Sequence, residues 1–277
     1  MKIIYVTDLH GDKWKYEQLY KLALFFKPDV VINGGDLLPA GREIAEQELF
    51  VSEYLSEHFS KYDKAGIYYL CCLANDDRRI FDQLFEKICC KFIHIKNIAQ
   101  RKIEIKNYEF LGFNLVVDYP FRLKDRCRKD NENYKIGQQY GEAFLSAPNG
   151  IMAIADWESY ISSLPTIKDE LNRLPKPANF KKSIYVIHMP PSKLGLDVCS
   201  DMRKVGSDAV YNFLKKQQPL ISLHGHIHES PEISGKWCPK LGKTVCIQPG
   251  QMRGLTYVTI DLEKMKYERN LKVQEWG

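Results

Sequence analysis

Several things are scarce in this chain, and each scarcity excludes a class of function. No apolar stretch reaches the ~20 residues a bilayer-spanning helix needs. Charge of neither sign dominates: 40 Lys and Arg stand against 35 Asp and Glu, a net charge of +5 over 277 residues. That balance permits anionic substrates but is too weak to imply nucleic-acid binding. The sequence has no internal repeat, Gly/Ser linker or low-complexity tract. Its eight cysteines include the adjacent pairs Cys71-Cys72 and Cys89-Cys90 but no Cys-x2-Cys spacing, which argues against a Cys-rich zinc module. Met1 leads directly into the strand-like run Lys2–Val6, without the apolar segment and small-residue cleavage site of a signal peptide. The thiols therefore read as reduced core residues, and the expected location is cytoplasmic, with no membrane contact.

What is present is an alternation. Residues 2–7, 29–33 and 67–73 are short, largely apolar runs that read as strands. Between and after them, residues 13–26, 42–62 and 78–90 carry apolar side chains at helical spacing. This βαβα order implies parallel strands in a layered α/β fold, where ligands bind beyond the carboxyl ends of the strands. Residues 91–117 predict strands and a hairpin, 156–174 one helix, and 183–187, 220–223, 244–247, 257–262 and 265–273 further strands. Ser207 is placed to cap a helix running to about Lys216. Residues 118–150 form an irregular insertion of mixed charge within what reads as a single domain spanning 1–277.

Polar residues of one chemical kind recur at the strand ends: Asp8-Leu9-His10, Gly35-Asp36, Asn75-Asp76, His188 and Gly225-His226-Ile227-His228. Asp, His and Asn bind hard and borderline divalent cations. Seven of them, all but Asp76, exceed the needs of one ion and suit two ions sharing a carboxylate, a pairing that serves phosphoryl-transfer hydrolysis. His226 and His228 alternate at strand spacing and so share a face. His58, within a helical stretch, and His94, in a strand-like one, read as structural.

The order Asp-x-His, Gly-Asp, Asn-x-Asp, His, Gly-His-x-His resembles that of the calcineurin-like metallophosphoesterases, over residues 3 to about 262. The runs His188-Met189-Pro190-Pro191, Gly206-Ser207, Pro219-Leu220, His224–Ser230 and Gln248-Pro249-Gly250 are similar to a bacterial-type branch of cyclic-nucleotide phosphodiesterase-like proteins. The resemblance implies a four-layer α/β/β/α sandwich of two mixed sheets with flanking helices. It also implies that Asp8, His10 and His228 hold one metal, that Asn75, His188 and His226 hold the other, and that Asp36 bridges both. A hydroxide between the ions would be the in-line nucleophile on a small phosphate ester, a phosphodiester before a monoester. Mn²⁺ or Fe suits the mixed donor set, with Zn²⁺ also admitted. A slow or inactive metal-binding interaction module is the alternative from another class, and oligomeric state is unassigned.

At one position the chain departs from this pattern. The third motif reads Ala74-Asn75-Asp76-Asp77, so Asp76 stands where the family commonly has the His that helps protonate the leaving group. An ordinary aspartate, with a pKa of about 3.9, is ionised at neutral pH. Either its surroundings raise that pKa and Asp76 is the catalytic acid, or the natural leaving group needs none. Candidate substrate contacts are His224, Arg122 and Arg126, His224 also being read as a support for the ligand histidines. Tyr119, Phe121, Tyr134 and Tyr140 can either stack on a nucleobase or anchor the insertion to the core.

Overall fold

The computed structural model describes residues 1–40 and 43–274. Two six-stranded mixed sheets form its centre. The first runs, edge to edge, Lys266–Lys272, Leu255–Asp261, Lys2–Val6, Val30–Asn33, Tyr68–Cys71, Ile95–Asn97. Its last four strands are parallel, while Leu255–Asp261 pairs antiparallel with Lys2–Val6. The second runs Lys240–Leu241, Thr244–Ile247, Ile221–Leu223, Ser183–Ile187, Tyr108–Phe113, Lys102–Ile105, its four central strands parallel.

Side-chain alternation along each strand builds the layers. Ile3 and Tyr5, Val30 and Ile32, Leu70, Ile184 and Val186, and Ile221 and Leu223 point into one apolar cluster between the two sheets. Their neighbours Ile4, Val6, Val31, Tyr69 and Cys71 face the other way, onto Tyr16, Leu19, Phe59, Tyr62 and Phe85 of the covering helices. Leu111, Phe113, Tyr185 and Ile187 do the same on the second sheet, against Trp157, Ile161, Leu171, Val210 and Leu214. Helix, sheet, sheet, helix is thus the order of layers. Each fully buried side chain of this size contributes roughly 1.5–3 kcal/mol.

Local chemistry sets the ends of the elements. Asp12 caps the helix Lys13–Phe26 by accepting from the Lys15 N–H, and Ser207 caps Asp208–Gln217 through the Val210 N–H. The hairpin between Lys102–Ile105 and Tyr108–Phe113 turns on Lys106 and Asn107, both at positive φ, as a two-residue turn matched to strand twist requires. The stretch expected to be helical from 42 to 62 begins at Ile44, residue 42 lying outside the described residues, and passes through a π-helical segment, Phe50–Leu55, before Ser56–Lys64. The single helix expected over 156–174 is two, Trp157–Ser162 and Ile167–Arg173. Pro165 has no N–H to continue the first, and Thr166 opens the second with a reciprocal capping box to Asp169. The insertion at 118–150 is only partly irregular, holding the short strand Cys127–Arg128 and most of a hairpin, Ala143–Ala147 with Gly150–Ile154. The eight thiols are free, but only five are buried: Cys90 is exposed, and Cys199 and Cys238 are half-buried. None of the described helices is long and apolar enough to cross a membrane.

Candidate metal centre

The carboxyl ends of the parallel strands converge on one spot. Val6 leads to Asp8, Asn33 to Asp36, Cys71 to Asn75, Ile187 to His188, and Leu223 to His226 and His228. Donor atoms of Asp8, His10, Asp36 and His228 lie within 4.8 Å of one another, as do those of Asp36, His188 and His226. The two groups share Asp36. Asn75 completes the second, its Oδ1 2.9 Å from His188 Nε2.

The backbone is bent to make this possible. Asp8, His10, Asp36 and His226 all have positive φ, at 57°, 45°, 51° and 71°. Side chains rarely adopt this region, and such conformations persist only where the surroundings impose them. Two glycines admit the crowding. Gly35 has φ +126°, and a Cβ on Gly225 would lie 2.7 Å from Asp8 Oδ2 and 3.1 Å from His188 Nδ1.

Hydrogen bonds aim the donors. His188 Nδ1 faces the Gly34 carbonyl at 3.0 Å and so donates there, leaving Nε2 turned toward Asn75, Asp36 at 3.3 Å and Asp8 at 3.8 Å. The Asp8 carboxylate accepts from the His226 N–H at 3.0 Å, and Asp36 Oδ1 from the Asp76 N–H at 2.9 Å. Three residues without an assigned role in the sequence hold the loops. Asp77 accepts from the Leu37, Leu38 and Ala74 N–H groups at 3.0, 2.7 and 2.7 Å, stapling the Asp36 loop to the Asn75 loop. Gln47 donates to the Asp76 and Pro39 carbonyls. Gln248 donates to the carbonyls of Gly225 and Ile227, on either side of His226.

The electrostatics call for positive charge. Burial alone would raise the pKa of Asp8 and Asp36, but His228 and His188 beside Asp8, and His188 and His10 beside Asp36, bring both below the usual range. Burial likewise opposes charge on His188, yet Asp36 and Asp8 push it up to about 9, and Asp8 raises His228. His226, dominated by burial, falls to about 3, and His10 is lowered for the same reason. Two buried carboxylates that push two neighbouring imidazoles toward the charged form mark a place suited to a cation. The spacing fits as well. His10 Nε2 and His228 Nε2 are 3.1 Å apart, and nitrogens on neighbouring positions of one ion, bonded at about 2.1 Å, lie about 3 Å apart.

Asp76 reaches the edge of the cluster, its Oδ2 3.8 Å from His10 Nδ1 and its Oδ1 2.9 Å from Asn75 Nδ2. Burial and the charge of Asp36 push its carboxyl up to about 7. A cavity of about 970 Å³ opens from Asp36, Asn75, Asp76, His226 and His228. Its outer walls come from 117–140 and from 199–208.

The three expected substrate contacts lie elsewhere. Arg126 is buried, donating to the Ala74 carbonyl at 2.8 Å and pairing with Asp82 at 2.5 Å. Arg122 rests 5.5 Å from the Phe144 ring and donates to the Glu142 carbonyl. His224 is buried with Nδ1 facing the Ile187 and Met189 carbonyls, and it does not line the cavity. His58 is enclosed by tyrosines and His94 bonds Asp63 at 2.9 Å, both within the scaffold.

Fold and cluster together define the class: a two-sheet α/β protein whose sheet ends bring histidine and carboxylate donors around one shared aspartate. The family follows from the sequence, since a model of the calcineurin-like phosphoesterases matches residues 1–230 and the chain belongs to that family. The family implies a dinuclear divalent-metal site, for which this cluster is the candidate. Among solved structures, one superposes with a TM-score of 0.65 at 17% identity, covering 98% of each chain. TT1561 of Thermus thermophilus gives 0.59 at 17% identity, also over 98% of each. A dimetal phosphatase from Danio rerio gives 0.50 at 10% identity, over 94% of this chain and 91% of that one. These likenesses are of fold. No curated protein matches the sequence.

Proposed function

We propose that the protein is a phosphodiesterase acting on small esters, with Asp8, His10 and His228 as ligands of one divalent cation, Asn75, His188 and His226 of a second, and Asp36 shared. Mn²⁺ or Fe suits four imidazoles with carboxylate and amide oxygens, and Zn²⁺ is admitted. Two such cations, when bound, lower the pKa of water and neutralise charge on phosphate oxygens. The remaining work belongs to the chain. The cavity aligns the ester, and Asp76 stands at its floor to hold the proton that the leaving oxygen takes. An oxygen–phosphorus bond forms from water, the ester bond breaks, and a monoester and an alcohol leave.

The charge of the cavity carries the preference for a diester. Among the described residues lining its outer walls, Arg203 is paired with Asp201 at 2.6 Å, Asp118 with Lys124 and Asp208 with Lys193, each at 2.8 Å, which leaves Lys204 against the carboxylates of Asp130 and Glu229. A diester brings one negative charge, whereas a monoester brings about 1.5–2 at neutral pH. Walls of this sign favour the smaller charge and disfavour a nucleic-acid strand. The test is turnover of bis(p-nitrophenyl) phosphate against p-nitrophenyl phosphate by the Mn²⁺-loaded protein. A kcat/KM preference of about tenfold for the diester, worth about 1.4 kcal/mol, is expected. His226→Ala should abolish both activities and lower bound metal. Faster cleavage of the monoester would refute the assignment. Asp76 in place of a His favours one second reading, a slow enzyme serving mainly as an interaction module. A metal-loaded protein inert on every ester would support it.

A further inference from the structure

Three aromatic rings lead from His226 of the ligand cluster outward along one cavity wall. Tyr119 lies 5.8 Å from the His226 ring, Phe121 5.9 Å from Tyr119, and Tyr140 5.9 Å from Phe121. The outer pair meets at 77°, and in an edge-on pair one ring keeps both faces uncovered. Phe121 is 63% and Tyr140 51% exposed, so neither gains much from packing on the core.

The anchoring task is done by other groups. Asp118 accepts from the Lys124 ammonium at 2.8 Å, Trp157 Nε1 at 3.0 Å and Gln139 Nε2 at 3.0 Å. Tyr119 Oη donates to the Leu123 carbonyl at 2.6 Å, and the Tyr140 N–H to the Pro120 carbonyl at 2.8 Å. The base of the ladder is thereby fixed while its outer rings stay open to the cavity. Arg122, the nearest cation in sequence, sits over Phe144 and leaves the Phe121 ring uncovered by its charge.

We infer that Phe121 and Tyr140 form a subsite for a planar aromatic group on the phosphate ester, an aryl ring or a nucleobase, held beside the metal cluster by stacking. This rests on the phosphoesterase reading and specifies its substrate class. Stacking of a ring on an aromatic side chain is worth about five- to a hundredfold in affinity.

The test uses ligands that resist hydrolysis and share one phosphonate head: methylphosphonate, phenylphosphonate and the 5′-methylenephosphonate analogue of adenosine monophosphate, titrated calorimetrically into the Mn²⁺-loaded protein. Phenylphosphonate should bind about tenfold tighter than methylphosphonate, and the nucleoside phosphonate arm shows whether a nucleobase does better than a phenyl ring. In Phe121→Ala/Tyr140→Ala the phenyl-to-methyl ratio should fall to near one, while Phe121→Trp should keep it. Both replaced side chains are largely exposed, so the fold does not depend on them, and thermal melting checks this. Equal affinity for the methyl and phenyl ligands in the wild-type protein, or a ratio unchanged in the double variant, overturns the subsite. A protein that prefers phenylphosphonate yet cleaves no ester overturns the phosphodiesterase reading alone.

Discussion

Acid should weaken this protein through His58, and the size of the effect can be worked from its surroundings. The imidazole is buried on the helix Ser56–Lys64, with the rings of Tyr16, Tyr62 and Tyr69 edge-on at 5.0, 5.0 and 5.9 Å. Its Nε2 has no hydrogen-bond partner among the described residues. Burial, with a small push from Lys61, lowers its pKa to about 3. In the unfolded chain the same group titrates near about 6.5. Between those values the unfolded state binds a proton that the folded state refuses, so stability rises with pH across this window. The contribution is present in full above about pH 6.5 and is lost as pH falls toward about 3. From about 6.5 to 5 is roughly one and a half pH units at about 1.4 kcal/mol each, or about 2 kcal/mol. Urea unfolding of wild type and His58→Phe at pH 7.5 and 5.0, with metal chelated, isolates this term because other groups cancel in the difference. Wild type should lose about 2 kcal/mol more than the variant. Equal losses would mean that His58 is charged or solvated in the folded protein, and the description of this cage would be wrong.

Two further outcomes concern the site and its wall. Asp76→His and Asp76→Asn should leave cleavage of diesters with p-nitrophenolate leaving groups within a few-fold of wild type, whereas on alkyl leaving groups Asn should fall about 10²-fold and His should not. Indistinguishable activities of all three proteins on both substrate sets would remove Asp76 from any proton-handling role. Lys124→Met leaves Asp118 buried without its cation and should cost about 3–5 kcal/mol in urea unfolding. A loss below about 1 kcal/mol would show that Asp118 finds adequate partners in Trp157 and Gln139 alone.

Much of this arrangement is legible in the sequence because of where its residues fall. Asp8, Asp36, Asn75, His188 and His226 each come within a few positions of the end of an apolar strand run, and parallel strands deliver the loops at their carboxyl ends to a common place. The alternation of Ile3 and Tyr5 with Ile4 and Val6 likewise announces a sheet covered on both faces. The features that escape depend on partners distant in the chain. Nothing near Asp77 reveals that its carboxylate will meet Leu37 and Leu38, or near Gln47 that it will meet Asp76. Arg126 looks available to a phosphate until Asp82 and the Ala74 carbonyl are found occupying it. The left-handed backbone at Asp8, His10, Asp36 and His226 is also invisible: Asp and His tolerate it better than most side chains, but only the assembled loops impose it. Pro165 is a readable signal for the break between the two helices, outweighed by the apolar periodicity around it.

The ammonium of Lys124 is fully enclosed, between the rings of Tyr119 and Trp157 at 4.9 and 5.4 Å, with Asp118 against it. Opening a segment fastened this way would strand a buried charge, at a cost of about 3–5 kcal/mol. For the proposed phosphoesterase the expectation is therefore a standing mouth, with release governed by how firmly product clings rather than by a gate. Turnover should accordingly be insensitive to solvent viscosity beyond what diffusion of a small ester imposes.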